Sequence, residues 1–273
     1  MAQSTYVPWW EADDVTTIVV TPTRLQTFAR CPLHYHETFD PTWSNAPSRA
    51  VLVGQYVHAL IQRYNTILMT GCDPVDDDLL ARVCPPPALR DTGTTPVTDV
   101  GRESLAAYRT FLHAQELTTI VDAERYIRTP GRPVLHVPRC AVIFSGRLDV
   151  VGQRDDDTGP TSRALTSIDV KTGMLDADLA AQPATWVQDH LLRFAYGVER
   201  IEHIQLGLPS GRWVSARLTP DRIEGGIALT RRFVASIKEG AFEATPGPWC
   251  GYCAVVDRCP IYRDRGGFMD AAF

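Results

Sequence analysis

Four of the seven cysteines stand in a one-plus-three arrangement that links the two ends of the chain. Cys31 lies near the N-terminus, and Cys250, Cys253 and Cys259 follow the spacing C-x₂-C-x₅-C in the segment WCGYCAVVDRCP. In a chain without signs of secretion, clustered cysteines are more often metal ligands than disulfides. If all four bind one centre, any fold of this chain must bring together residues that are 219 positions apart.

The ligand pattern favours a cluster over a single ion. Four thiolates suit a [4Fe–4S] cluster, and they also suit structural zinc. Zinc sites normally pair their ligands as two short knuckles, whereas the partner of the triplet here is the solitary Cys31. We therefore expect an iron–sulfur centre, with zinc as the alternative.

Composition restricts the class of protein. The chain has 273 residues, of which 44% are hydrophobic, and such a chain can bury a substantial core. It contains no apolar run of membrane-spanning length, and the opening MAQSTYVPWWEADD lacks the basic and apolar parts of a signal peptide. We therefore expect a cytoplasmic protein without a membrane partner. The net charge of −5 argues against a general nucleic-acid coat protein, but it leaves room for a local basic groove.

Periodicity predicts an α/β chain with a mixed sheet. Residues 1–20 are expected to form a loosely docked arm, and 21–273 a single domain. The apolar spacing and the caps predict helices over about 22–30, 51–68, 76–83, 103–117, 184–200 and 220–240. Alternating β-rich runs predict strands over about 119–128, 140–153, 163–171, 204–208 and 213–218, of which the first three form a meander.

Two acids and a lysine stand out on the second and third predicted strands. Asp149 lies in GRLDVV (146–151), and Asp169 and Lys171 lie in SIDVKTG (167–173). Because side chains alternate along a strand, Asp169 and Lys171 project to one face while Val170 points into the core. Only two of the 27 basic residues are lysines, so a lysine at this position indicates a need for its compact ammonium. Carboxylates bind Mg²⁺ and similar ions, which assist phosphodiester hydrolysis.

These motifs resemble the PD-(D/E)XK nuclease superfamily, whose lone Asp precedes (D/E)-X-K. The residues around both motifs are similar to those of the RecB-like iron–sulfur branch, which includes the AddB nuclease domain and CRISPR-associated exonucleases. That branch also has a G-x-x-x-H helix, matched by Gly54–His58, and an opening similar to TPTRLQTFARCP. The resemblance covers about 21–260 and implies a restriction-endonuclease-like sheet flanked by helices. It further implies a nuclease core over about 101–218 and an iron–sulfur region formed by 21–40 and 241–265.

The resemblance also implies a set of site residues. His58, Asp149 and Asp169, with the carbonyl of Val170, would hold Mg²⁺ or Mn²⁺, and Lys171 would orient the attacking water. Glu124 is a further candidate acid, although a solvated strand edge is the preferred interpretation. The helix after the lysine strand lacks the branch's Q-x-x-x-Y motif, which leaves its contacts with substrate open. Candidate contacts to nucleic acid are Arg24, Arg147, Gln188, His190, Arg193 and Tyr196.

The function implied is that of a metal-dependent DNA exonuclease acting on single-stranded or end-exposed DNA in recombination, repair or phage DNA processing. Partners in recombination or CRISPR adaptation are further implications. Three alternatives stay open: a nuclease that trims CRISPR spacer precursors, a non-catalytic protein that binds DNA ends, and a zinc-stabilised structural protein with a chance D-x-K sequence.

Overall fold

The computed structural model describes residues 16–39, 47–89, 96–131, 135, 140–154 and 164–264. The helices are α1 (Pro22–Arg30), α2 (Pro32–Thr38), α3 (Arg49–Leu68), α4 (Asp76–Arg82), α5 (Val97–Ala114), α6 (Pro183–Tyr196), α7 (Pro220–Glu239) and α8 (Pro260–Asp264). The strands are β1 (Thr16–Val20), β2 (Leu117–Pro130), β3 (Cys140–Arg154), β4 (Ala164–Lys171), β5 (Arg200–Gly207) and β6 (Arg212–Ala216). Short 3₁₀ helices lie at Pro87–Leu89, Leu179–Ala181, Pro248–Tyr252 and Val256–Arg258. Within these described ranges, no helix has the length and apolarity needed to cross a membrane.

The strands form a mixed sheet, as the sequence predicts. Over the described residues, six strands pair in the order β1-β3-β4-β5-β6, and β2 also pairs with β3. The β3–β4 and β5–β6 pairs are antiparallel, whereas β1–β3 and β4–β5 are parallel. The predicted adjacency of the first three long strands is confirmed. The parallel β4–β5 register places Gln205 opposite Asp169.

The chain divides into two compact units, each assembled from separate segments. The first unit contains the described parts of 1–45, 128–145 and 220–273, and the second contains those of 46–127 and 146–219. The single nuclease domain over 21–273 and its core over about 101–218 stay predictions.

Two long helices and three strands build most of the hydrophobic core of the second unit. The apolar faces of α3 and α5 share this core with residues of β3, β4 and β5, because each element buries one face. Its most deeply buried side chains are Tyr56, Val57, Leu60, Leu79, Leu105, Tyr108, Val150, Ile168, Val170, Ile204 and Leu206. The opposite face of α3 is therefore left for polar residues.

The first unit contains an aromatic cluster and a parallel strand pair. Phe28 and Tyr35 make edge contacts with Phe233 of α7, at ring-centroid distances of 5.2 and 5.0 Å. Strand β1 pairs with the first five residues of β3, from Thr16↔Cys140 to Val20↔Phe144. The expected loose arm over 1–20 is therefore wrong for residues 16–20, while 1–15 lie outside the described residues. The run TTIVV is rich in β-branched residues, which favour strands.

All six predicted helices are found, and all but the first have shifted ends. Helix α1 is capped at its N-terminus, because the Thr21 hydroxyl accepts a hydrogen bond from the Arg24 backbone N–H at 3.2 Å and Pro22 opens the helix. Helix α5 begins at Val97, six residues before the predicted start. Helix α2 was not predicted. It begins immediately after Cys31, whose extended backbone separates it from α1.

Candidate metal centre

Helix α3 carries His58 on its polar face. The Ser48 hydroxyl caps the helix by accepting a hydrogen bond from the Val51 N–H at 3.4 Å. The core face buries the neighbouring apolar residues, so the His58 imidazole remains about one-third exposed. A Cβ added to Gly54 would lie 3.2 Å from the Thr172 hydroxyl oxygen, just after β4. The lack of a side chain at Gly54 therefore leaves room for Thr172 beside α3.

Three potential ligands converge beside α3. The His58 Nδ1 atom lies 3.5 Å from an oxygen of Glu124 and 3.6 Å from Asp149 Oδ2. One ligand atom from each residue lies within 4.8 Å of the others. In the part of the chain that the structure describes, no other group of three His, Cys, Asp or Glu side chains is as compact. Imidazole and carboxylate together can bind a divalent cation.

Asp169 and Lys171 form an ion pair next to this group. The Lys171 Nζ lies 2.8 Å from Asp169 Oδ2, and it donates to Asp169 Oδ1 at 3.1 Å. The two side chains share a face of β4, as strand alternation predicts, while Val170 is buried. The Val170 N–H donates to Asp149 Oδ2 at 2.8 Å, which ties the acid of β3 to the motif on β4.

The pKa values of these groups reflect the short distances between the acids. Burial raises the pKa of Asp149 to about 7, and the charge of Asp169 contributes further in the same direction. Burial opposes the charged form of His58, but the hydrogen bond to Glu124 and the charge of Asp149 raise its pKa overall. Burial lowers the pKa of Lys171, but the charge of Asp169, the hydrogen bond to it and the charge of Asp149 together raise it overall. Three neighbouring carboxylates thus favour a bound cation.

An open cavity of about 520 Å³ lies in front of the convergent ligands. Gln55 and Gln62 of α3 line one side, and Arg147 of β3 lies among the remaining lining residues. The Arg147 guanidinium donates to Glu124 at 3.4 Å while two-thirds of the side chain remains exposed. Arg147 therefore lies where a phosphate in the cavity could be contacted.

The candidate nucleic-acid contacts on α6 have their observed contacts within the second unit. His190 is buried and packs near Trp186, and burial lowers its pKa to about 4, so it is neutral near pH 7. The Arg193 guanidinium binds the Asp189 carboxylate and donates to the Glu199 carbonyl at 2.8 Å. The Tyr196 hydroxyl donates to Asp122 at 2.6 Å. Gln188 is half-buried. A role of these four residues in binding nucleic acid stays a prediction, as does the role of Arg24.

Arg24 and the four cysteines belong to the first unit. Arg24 donates to the Val19 carbonyl at 3.2 Å, and its guanidinium lies 5.5 Å from the centroid of the Phe39 ring. The cysteines Cys31, Cys250, Cys253 and Cys259 line one apolar pocket and form no disulfide. No three of their sulfur atoms come within 4.8 Å of one another, so among the described residues they do not form a compact single-ion site.

Two buried side chains make contacts at the site that the sequence did not predict. Glu124 is a further candidate acid by sequence, but its preferred interpretation as a solvated edge residue is wrong, because only 8% of its side chain is exposed and it faces His58. Gln205 is buried on β5 and donates to Asp169 at 3.3 Å and to Asp176 at 2.9 Å. An acid or amide in a strand has no local signal for such contacts. The contact depends on the parallel pairing of β4 with β5, which places Gln205 beside Asp169.

Comparison with known proteins identifies the family of the chain. No curated protein matches the chain significantly. Among solved structures, the one described as the crystal structure of SSO0001 is similar, with 13% identity, a TM-score of 0.34, and coverage of 87% of this chain and 94% of that chain. The family model of the PD-(D/E)XK nuclease superfamily matches residues 19–260, which include both acid motifs. The chain therefore belongs to the PD-(D/E)XK nuclease superfamily.

Proposed function

We propose that this nuclease is a metal-dependent DNA exonuclease of the RecB-like iron–sulfur type, which acts on single-stranded or end-exposed DNA. The observation that carries the proposal is the convergence of His58, Glu124 and Asp149 within 4.8 Å, next to the Asp169–Lys171 pair. Membership of the superfamily agrees with hydrolysis of phosphodiester bonds. The choice of DNA and of free ends is supported by the resemblance of the motifs.

The donor set fits a hard divalent cation. One imidazole and two carboxylates are the convergent ligands, and Asp169 adds a third carboxylate whose charge raises the pKa of Asp149. Mg²⁺ and Mn²⁺ accept such oxygen-rich sites, and the carbonyl of Val170 would complete the proposed set. When bound, the ion supplies Lewis-acid stabilisation of phosphate charge.

The chain's own residues hold the reacting groups around that position. Asp169 holds the Lys171 ammonium at 2.8 Å, so a positive charge is fixed next to the acids. Such a fixed cation stabilises negative charge that develops on a phosphate and orients the attacking water. The exposed side of Arg147 provides a second positive contact for the phosphate backbone.

The four cysteines are proposed to hold a [4Fe–4S] cluster in the first unit. All four thiols are free and line one apolar pocket, and the Cys31 sulfur accepts a hydrogen bond from the Thr245 N–H at 3.4 Å. Burial raises the pKa of Cys253, and the neighbouring thiols of the set raise it further. A cluster lies between its four thiolates, so its ligands stand farther apart than those of one ion. Its role is structural, because hydrolysis transfers no electrons.

The nuclease proposal is tested with end-labelled DNA and Mg²⁺ or Mn²⁺. Asp149→Ala and Lys171→Ala are expected to remain folded and to lose cleavage, whereas Lys238→Ala, a change at the other lysine of the chain, should cleave like the wild type. Linear single strands should be degraded from their ends, and closed circular single strands should resist. Undiminished cleavage by Asp149→Ala or Lys171→Ala would refute the proposed site, and rapid cutting of circles would refute the exonuclease assignment.

The cluster proposal is tested by iron and acid-labile sulfide content after anaerobic purification. Cys31→Ser is expected to lose bound iron, while Cys84→Ser, at an exposed cysteine outside the set, should retain it. Zinc in place of iron in the wild-type protein would overturn the cluster assignment without affecting the nuclease proposal.

A further inference from the structure

Strand β2 departs from regular geometry at Glu124. The backbone φ angle of this residue is +53°, in the left-handed region, although a regular strand has strongly negative φ. Non-glycine residues rarely adopt this conformation, and they keep it only where the surroundings enforce it. The alternation of exposure also breaks here, because Arg125 and Tyr126 are both exposed. The local kink is accompanied by an inward-facing Glu124 carboxylate, 3.5 Å from His58.

The residues on both sides of Glu124 are bound to one side chain of α6. Asp122 accepts a hydrogen bond from the Tyr196 hydroxyl at 2.6 Å, and it also binds the Arg125 guanidinium. The Arg125 guanidinium in turn lies 5.2 Å from the centroid of the Tyr196 ring. We call Asp122, Arg125 and Tyr196 the Tyr196 clamp. The clamp joins residues 122 and 125 across the kink, so it restrains the backbone on both sides of Glu124.

We propose that Tyr196 is a positioning residue for the metal centre. Through Asp122 and Arg125 it holds the left-handed backbone of Glu124 and thereby places the Glu124 carboxylate beside His58 and Asp149. This inference rests on the proposed function, in which those three side chains hold a divalent ion. Without the Tyr196 hydroxyl, Asp122 loses a charge-assisted hydrogen bond, and the strand is free to relax toward ordinary φ angles that direct Glu124 elsewhere.

The inference is tested by Mn²⁺ binding, measured by isothermal titration calorimetry without DNA. Tyr196→Phe removes the hydroxyl but keeps the ring over Arg125. It is expected to weaken Mn²⁺ binding about tenfold, the lower end of the effects typical of residues that orient metal ligands. Tyr126→Phe, an exposed tyrosine two residues from Glu124, is the matched control and should bind like the wild type.

A double-mutant cycle separates positioning from general stabilisation. If Tyr196 acts through Glu124, Tyr196→Phe should have no further effect on Mn²⁺ affinity in a Glu124→Gln background. Fully additive losses would refute the inference, and so would a Tyr196→Phe protein that unfolds more easily but binds Mn²⁺ normally. Asp122→Asn provides a second test of the clamp if Tyr196→Phe does not fold.

The outcomes also distinguish the inference from the proposed function. If Glu124→Gln weakens Mn²⁺ binding and Tyr196→Phe does not, the positioning role is refuted and the metal centre stands. If the wild type binds no Mn²⁺, or if Glu124→Gln binds it as tightly as the wild type, the proposed ligand set is itself refuted, and the positioning role with it.

Discussion

Gln205 offers a direct test of how the acid–lysine pair of β4 is held. Its buried side-chain amide donates to Asp169 at 3.3 Å and to Asp176 at 2.9 Å, and its carbonyl accepts from the Asp176 N–H at 2.7 Å. Replacement by Leu keeps a similar volume and removes all three hydrogen bonds. Two of them involve carboxylates, which strengthens a hydrogen bond, but Asp169 and Asp176 are partly exposed and can regain water. We therefore expect a loss of about 2–3 kcal/mol in the free energy of unfolding.

Gln205→Glu sharpens the test because it adds a carboxylate of nearly the same shape. At about 4 Å and an effective dielectric constant of about 20, each like-charge contact costs about 4 kcal/mol. The new acid would resist ionisation, so its pKa would be higher in the folded than in the unfolded protein. Above the unfolded pKa, stability is lost as pH rises. The Glu variant should therefore be less stable than the Leu variant at pH 8, with a smaller deficit at pH 5.

Urea unfolding at both pH values, followed by tryptophan fluorescence, measures these differences. Gln62→Leu serves as the control, because Gln62 is exposed on α3 and its replacement should change stability by no more than about 0.5 kcal/mol. A Gln205→Leu protein as stable as the wild type would show that the three hydrogen bonds add no net stability. A Glu variant no worse than the Leu variant at pH 8 would refute the electrostatic argument.

Further predictions concern the second-unit core and the surface helix α7. Burial lowers the pKa of His190 from 6.5 to about 4. As pH falls from 6.5 to 4, the unfolded state binds a proton that the folded state does not, so this group lowers the free energy of unfolding by about 3 kcal/mol. His190→Leu should flatten that part of the stability profile. Tyr108→Phe removes a buried hydrogen bond of 2.9 Å to Asn65 and should cost about 1–3 kcal/mol in urea unfolding. A Cβ on Gly101 would lie 2.8 Å from a leucine of α3, so Gly101→Ala should destabilise the protein by about 1–3 kcal/mol in thermal unfolding. At Gly225 of α7, an added Cβ would meet nothing within 4 Å, so Gly225→Ala should stabilise the protein by about 0.5–1 kcal/mol in the same assay.

The parts of the fold predicted well are those that local periodicity specifies. Helix α3 and the strands β3 and β4 follow from patterns of apolar residues within a few positions of one another. The start of α5 was placed too late because Val97 and Gly101, both buried in the structure, lie beside a polar stretch. Strand β1 was missed because its short β-branched run gains stability from pairing with residues 140–144, more than 120 positions away.

By itself, the sequence determined the chemistry of the site and its local geometry. The common face of Asp169 and Lys171 follows from the twofold alternation of a strand, and His58 lies on the polar face of an amphipathic helix. Only the tertiary structure decided that Glu124 joins His58 and Asp149, and that Gln205 supports Asp169. The physical reason is that these contacts depend on a left-handed backbone at a non-glycine residue and on pairing between distant strands. Neither feature leaves a local pattern, because both result from interactions that form when the chain packs.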